Sequence, residues 1–348
     1  MDGSMSEGMG LEGAVYVQTN EPENAAVAFR RDGAGMLERT GTFPTGGAGD
    51  AKPHLTSQGS VTLTSDGTGL LVTNSASDDV SIFAVGADGS LRLEQTVATG
   101  PAPKSVAEHS GLVYVLNTGK PSLVGLRIAG DGLEMLPGSE HPLSAANADP
   151  AQVSFTPDGR TLVVTERGTD SISTYAVADD GSIGMPRAIA SAGPTPYGFA
   201  ISAKNTLVVT EAFRAQKGDA AASSYSIDAT GARLVTSSVG NGRSEICWAV
   251  ITPDDRFAFT TNFADGAVSR YAIGADGSLT LEDATAGLAV DGQPGLRDED
   301  LSADGRFLYA IDADGGRIYG WSVNEMGTLA SLGSWEGVPA TVAGLAAR

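Results

Sequence analysis

One spacing, repeated seven times, constrains the fold of this chain more than any other feature. A short β-rich segment ends in a polar residue at Asn20, Asn74, Asn117, Glu166, Glu211, Asn262 and Asp312. Nine residues further on stands a large apolar side chain: Phe29, Phe83, Leu126, Tyr175, Tyr271 and Trp321. In the fifth repeat Tyr225 follows after fourteen residues, so the stretch from Phe213 to Ala222 holds a five-residue insertion. Six residues beyond each of these comes a glycine, at Gly35, Gly89, Gly132, Gly181, Gly231, Gly277 and Gly327. The 348 residues would otherwise suggest two or three domains. Self-similarity at this interval indicates a repeat architecture instead.

A second phrase marks the other end of each unit. Thr64-Ser65-Asp66-Gly67, Thr156-Pro157-Asp158-Gly159, Thr252-Pro253-Asp254-Asp255 and Ser302-Ala303-Asp304-Gly305 each lie between two apolar segments. Asp-Gly tolerates the positive φ of a tight turn, so the phrase predicts a hairpin. Each unit then reads strand, turn, strand, polar-ended loop, strand, glycine turn, strand. Four antiparallel strands repeated in this way form the blade of a β-propeller, here all-β and seven-bladed. Ala14 to Val17 predicts a second strand with no first strand before it. Val338 to Leu345 predicts a first strand with no blade after it. Their pairing closes the ring and hides edge strands. Residues 1–12 are expected to be a flexible leader and 13–348 a single propeller.

Composition narrows the functional classes. The formal charge is −20, with 42 acidic against 22 basic side chains. Nucleic acid and anionic membrane are therefore poor partners, since both reward clustered Lys and Arg. No apolar run is long enough to span a bilayer, and Met1 to Gly10 has neither a basic region nor an apolar core. The expected location is cytoplasmic, with a trimmed exported form as the alternative. The single cysteine, Cys247, leaves no internal disulfide. No spacing suggests zinc, a Ser-His-Asp set or a phosphate loop. No cofactor and no metal is expected, although Glu166, Glu211, Asp298 and Asp312 are oxygen donors of the kind Ca²⁺ or Mg²⁺ prefers. A monomer acting on a small-molecule substrate or ligand is the expectation.

Topology places the functional face. The end of each second strand lies beside the beginning of the first strand. The seven polar ends and the first-strand starts must therefore share one rim: Ser60, Lys104, Gln152, Tyr197 with Gly198, Trp248, and Arg297 with Asp298. Four ends are asparagines, including Asn74 and Asn262, which turn chemistry alone explains. Glu166 and Glu211 are poorer turn formers; facing one another across a channel they would raise each other's pKa and suit acid–base work. Arg297-Asp298-Glu299-Asp300 enters the last inner strand, where alternation sends two residues inward and two into the blade. Arg297 either pairs with a carboxylate in the fold or grips a substrate carboxylate in a bidentate fork. Tyr197 and Trp248 read first as packing aromatics that plug the channel, and Cys247 as a buried thiol. His54, in Lys52-Pro53-His54, is the histidine that should reach the rim.

The stretch Pro150 to Gly159, continuing to Glu166-Arg167-Gly168-Thr169-Asp170, resembles the lactonase-type seven-bladed propellers, which include 6-phosphogluconolactonase and carboxymuconate cyclase. The resemblance covers nearly the whole chain. It implies a site at these strand starts and ends built from a histidine, an arginine and a glutamate. Here Ala151 and Gln152 occupy the histidine position, and Thr195 and Pro196, followed by Tyr197, occupy an Arg-His pair. Glu211 falls at or within one residue of the family's glutamate, and Glu166 replaces an aspartate. Pro150-Ala151-Gln152, Val163-Val164-Thr165-Glu166 and Cys247-Trp248 are similar to a bacterial branch of lactonase-like propellers.

Two functions from different classes follow. In the first, the protein is a lactonase-like hydrolase or cycloisomerase acting on a small oxygenated carboxylate or lactone. Glu166 and Glu211 would serve as acid and base, Tyr197 and Gln152 would stabilise an oxyanion, and Arg297 would hold a carboxylate. Trp248, Asn262, Asp298, His54 and Asn74 would line the substrate. In the second, it is a non-catalytic ligand-binding or protein-interaction scaffold, and the inserted loop Phe213-Arg214-Ala215-Gln216-Lys217-Gly218 is a lid or a partner contact.

Overall fold

The structure, a computed structural model, describes residues 12–53, 55–290 and 292–348. His54 and all of the expected leader except Glu12 lie outside the described residues. Seven antiparallel sheets form in chain order, each with its strands in sequence from the inside out. The inner strands, from blade two to blade seven, are Val61–Leu63, Pro103–His109, Pro150–Phe155, Pro196–Ile201, Ile246–Ile251 and Leu296–Leu301. Blade one takes its inner strand from the C-terminus, Ala343–Ala347, paired antiparallel with Gly13–Gln18. That strand begins later than the 338–345 expected, because a turn through Pro339 closed by Val342 N–H delays the extended chain. Blade three carries an additional short strand, His141–Pro142, beside its third strand. No helix among the described residues is long and apolar enough to cross a membrane.

The repeated phrases have identifiable physical roles. In each hairpin phrase the hydroxyl donates to the aspartate two residues on, at 2.7 Å for Thr64, Thr156 and Thr252 and 2.6 Å for Ser302. The residue after the turn donates its backbone N–H to the same carboxylate. Gly67, Gly159 and Gly305 take the left-handed conformation there, and Asp255 does so where the phrase has no glycine. The glycine that ends each unit serves packing between blades. Tyr16, Tyr114 and Tyr309 donate their hydroxyls to the carbonyls of Gly89, Gly181 and Gly35, each in the following blade.

The polar residue at the strand end also has a fixed task. Asn74, Glu166, Glu211 and Asn262 hydrogen-bond the hydroxyls of Ser81, Ser173, Ser223 and Ser269, which are serines of the third strand. Buried polar groups need partners, and this bond ties the second strand of a blade to its third. Between the blades the core is apolar, with Phe29, Phe83, Tyr175, Tyr225, Tyr271 and Trp321 fully buried at the predicted positions.

Candidate functional site

The inner strands of blades three to seven all begin with a break in pairing register. It falls between Pro103 and Ser105, Pro150 and Gln152, Pro196 and Phe199, Ile246 and Trp248, and Leu296 and Glu299. Such bulges bend a strand and re-aim its side chains. The residues inside them are Lys104, Ala151, Tyr197 with Gly198, Cys247, and Arg297 with Asp298. One arc of the channel mouth is therefore built from residues that strict alternation would have divided between the channel and the blades. Gly198 is required here: a side-chain carbon would sit inside contact distance of the Cys247 carbonyl and the Gln58 amide.

The floor of this arc is apolar. Ala151, Tyr197, Ala212, Cys247 and Trp248 form a buried cluster with Phe263 packed against it. Tyr197 and Trp248 meet at 5.6 Å between ring centres. Cations rim the floor. The Arg167 guanidinium lies 4.9 Å from the centre of the Tyr197 ring and pairs with Asp149 at 2.7 Å. The Arg297 guanidinium lies 5.0 Å from the centre of the Phe263 ring and 3.6 Å from Asp314. Only 3 % of the Arg297 side chain is exposed, and its Nε and Nη1 make no hydrogen bond among the described residues. Burial lowers its pKa, opposed by Asp314 and Asp298. Burial also lowers that of Lys104, opposed by Asp50 and reinforced by Arg167. This acidic chain has thus gathered three cations at one opening.

The channel beneath is plugged. Trp248 Nε1 donates to the Ser57 carbonyl at 2.9 Å. Gln58 donates its side-chain amide to the Ala249 carbonyl and accepts from the Ala249 N–H. Its backbone N–H donates to Ala151. Ser57 donates its hydroxyl to the Lys104 carbonyl at 2.7 Å. Below the plug a cavity of about 240 Å³ is lined by Gln152, Asp298, Glu299 and Asp300 among others. Burial raises the Asp298 carboxyl to about 7, with the Gly344 amide and Arg297 opposing. A larger cavity, about 450 Å³, lies on the opposite face between blades two and three, beside the hairpin at Asp66 and Glu108, far from this chemistry.

The structure divides the residues singled out from sequence into two groups. Arg297, Asp298, Tyr197 and Trp248 come together at the mouth. Glu166 and Glu211 do not face one another. Glu166 is fully buried and accepts from Ser144, Thr169 and Ser173. Glu211, equally buried, accepts from Gly193 N–H at 2.8 Å, Ser223 at 2.5 Å and Ser238 at 2.7 Å. The two share no partner. Gln152 clamps the Phe199 backbone through both ends of its amide. Asn74 accepts from Asn24 and Thr45 and donates to Asp79 and Ser81. Asn262 is similarly occupied with Asn241, Ala267 and Ser269. Asp312 accepts from Gly315 N–H. The inserted loop opens as a short 3₁₀ turn, Phe213–Ala215, and Arg214 pairs with Asp170 on the neighbouring blade.

Sequence reasoning passed over Arg167, Phe263 and Asp314 as site residues. Arg167 and Phe263 each follow the polar strand end by one position, and Asp314 follows by two. The residue that leaves the strand, rather than the one that ends it, overhangs the mouth. That offset was the available signal.

Comparison with known proteins agrees with this architecture. The family described as "Lactonase, 7-bladed beta-propeller" matches residues 12–125, 133–215 and 211–341. Among curated proteins nothing matches. Similar solved structures include a protein from Lactobacillus plantarum, 18 % identical over 97 % of this chain and 99 % of that one, with a TM-score of 0.75. The periplasmic gluconolactonase of Pseudomonas aeruginosa is 18 % identical over 96 % and 98 %, with a TM-score of 0.69. At such identities the likeness is one of fold.

Proposed function

The chain belongs to the lactonase family of seven-bladed β-propellers, and from that premise we propose that it opens the lactone ring of a small anionic oxygenated acid at the channel mouth. The observation that carries this reading is Arg297, a buried guanidinium with two nitrogens left without hydrogen bonds. Unmade hydrogen bonds on a buried charge are costly. A carboxylate or phosphate on the substrate would supply them in a fork that suits guanidinium geometry. Arg167 and Lys104 extend the positive arc to the lactone carbonyl, where negative charge develops as water adds.

Asp298 is the base in this scheme. It adjoins Arg297 within the same bulge and lines the cavity beneath the mouth. A carboxyl held near neutral is half ionised at working pH, which suits proton transfer. The attacking water gives its proton to Asp298 as its oxygen bonds to the carbonyl carbon. The ring C–O bond then breaks and the departing alkoxide recovers the proton, giving the open hydroxy acid. Glu166 and Glu211 act as struts holding the third strands of their blades.

The second reading, a binding propeller without catalysis, is favoured by the plug at Ser57 and Gln58, which narrows the way from the mouth to Asp298. Lactone opening followed by proton release separates the two. Asp298→Asn should reduce kcat/KM about 10²-fold or more while leaving the affinity for an open-chain acid within about threefold. Wild-type protein that binds anionic lactones and leaves them closed would establish the binding reading instead.

A further inference from the structure

The chain has five lysines, and one stands apart. Lys52, Lys120 and Lys204 project into solvent and pair with Asp50, Glu140 and Asp255. Lys217 lies exposed in the inserted loop. Lys104 is half-buried, and among the described residues its Nζ makes neither an ion pair nor a hydrogen bond. The bulge between Pro103 and Ser105 seats it at the mouth, and its carbonyl is fixed by the Ser57 hydroxyl at 2.7 Å.

The surroundings of Lys104 disfavour the ammonium form. Burial acts most strongly; Asp50 opposes it, Arg167 and Lys52 reinforce it, and Asp149 opposes. Both carboxylates are committed elsewhere, Asp50 to Asn20 and Lys52 and Asp149 to Arg167. The strands packed on Pro103–His109 are Leu112–Asn117, Pro150–Phe155, Gly69–Asn74 and Val61–Leu63. Tyr114 is their one titratable group, and its hydroxyl is spent on the Gly181 carbonyl. Glu108 and His109, on the same strand as Lys104, sit at its far end, where Glu108 accepts from Ser65 and Gly111. An amine that is partly desolvated and flanked by other cations keeps a neutral, nucleophilic fraction at working pH.

We propose that Lys104 is a covalent capture site for small anionic aldehydes, which it holds as an imine at the channel mouth. The anionic group is met by the guanidiniums of Arg167 and Arg297, the latter with Nε and Nη1 still to be bonded. The Nζ lone pair adds to the aldehyde carbon, a proton passes from nitrogen to the carbonyl oxygen, and water leaves as the C=N bond forms. No oxidant or further reactant is needed. The site goes beyond the lactone reading: it shares the cations of the mouth and uses neither Asp298 nor ring opening.

The test treats the full chain with pyridoxal 5′-phosphate, or with neutral pyridoxal as control, then reduces with borohydride and maps the labelled peptides. At about pH 7.5 and equimolar phosphate aldehyde, Lys104 should be labelled at least about 10-fold more than any other lysine. Labelling of Lys104 should set in at lower pH than that of Lys217, fall when inorganic phosphate is added, and lose its preference with pyridoxal. A uniform spread over the five lysines, or equal labelling of Lys104 by pyridoxal, overturns the proposal. Lactone-opening rates on the same preparation separate the two activities. Selective labelling without opening removes the lactonase alone, and opening with uniform labelling removes the capture site alone.

Discussion

The guanidinium of Arg297 stacks over the ring of Phe263 at 5.0 Å, and the two arrive from opposite directions. One comes from a bulge at the head of an inner strand, the other from the turn that ends the second strand of the preceding blade. The ring fixes the plane of the guanidinium and so the direction of its fork. Arg297→Lys keeps the charge and loses both fork and stacking. It should lower kcat/KM on an anionic lactone by about 10- to 100-fold, the range of a charged hydrogen bond. Phe263→Leu should cost less, about 3- to 10-fold and mainly in KM. Steady-state kinetics on the two variants checks both.

Stability should depend on pH with an unusual sign. Burial raises the Asp298 and Asp300 carboxyls to about 7 in the folded chain, against about 3.9 when unfolded. The folded state therefore holds these protons more tightly. Their contribution is fully present below about pH 4, falls as pH rises to about 7, and levels off above it. Denaturant midpoints should decline across that window. Asp298→Asn with Asp300→Asn should flatten the decline, and an unchanged slope would contradict this assignment.

Removing a strut glutamate should destabilise the ring and spare the chemistry. Glu211→Ala strips the acceptor from Gly193, Ser223 and Ser238. It should cost about 2–4 kcal/mol. Below its lowered Tm the variant should keep kcat/KM within about threefold of wild type. Calorimetry paired with kinetics on the folded protein decides between a strut and an acid.

Ring closure rests on the last strand. Ala343–Ala347 pairs with Gly13–Gln18, and the Arg348 carbonyl accepts from Ala14 N–H and from Arg31. Truncation after Val342 exposes the edge of blade one and should yield aggregating protein. Size-exclusion chromatography of the truncated chain would show this directly.

The architecture was legible because propeller periodicity survives low identity. Phe83, Tyr175 and Trp321 had to fill the space between blades, and the Thr-x-Asp-Gly phrase carries its own turn chemistry. The site was legible only in part. Glu166 and Glu211 drew attention as carboxylates at a rim, but nothing in the sequence reveals the hydroxyls of Ser173 and Ser223 that hold them. Alternation divided Arg297 from Asp298, whereas the bulge between Leu296 and Glu299 sets them together. Bulges leave no reliable local signal, so the mouth they build had to be seen in three dimensions.

In the proposed reaction the cations at the mouth select an anionic lactone for opening. The most direct measurement compares initial rates of ring opening on paired lactones, one bearing a carboxylate or phosphate and its neutral analogue, with wild type and Arg297→Met. Wild type should prefer the anionic member by at least about 10-fold, and the variant should lose that preference. Equal rates on both members, or no opening above the uncatalysed rate by folded wild type, would contradict it.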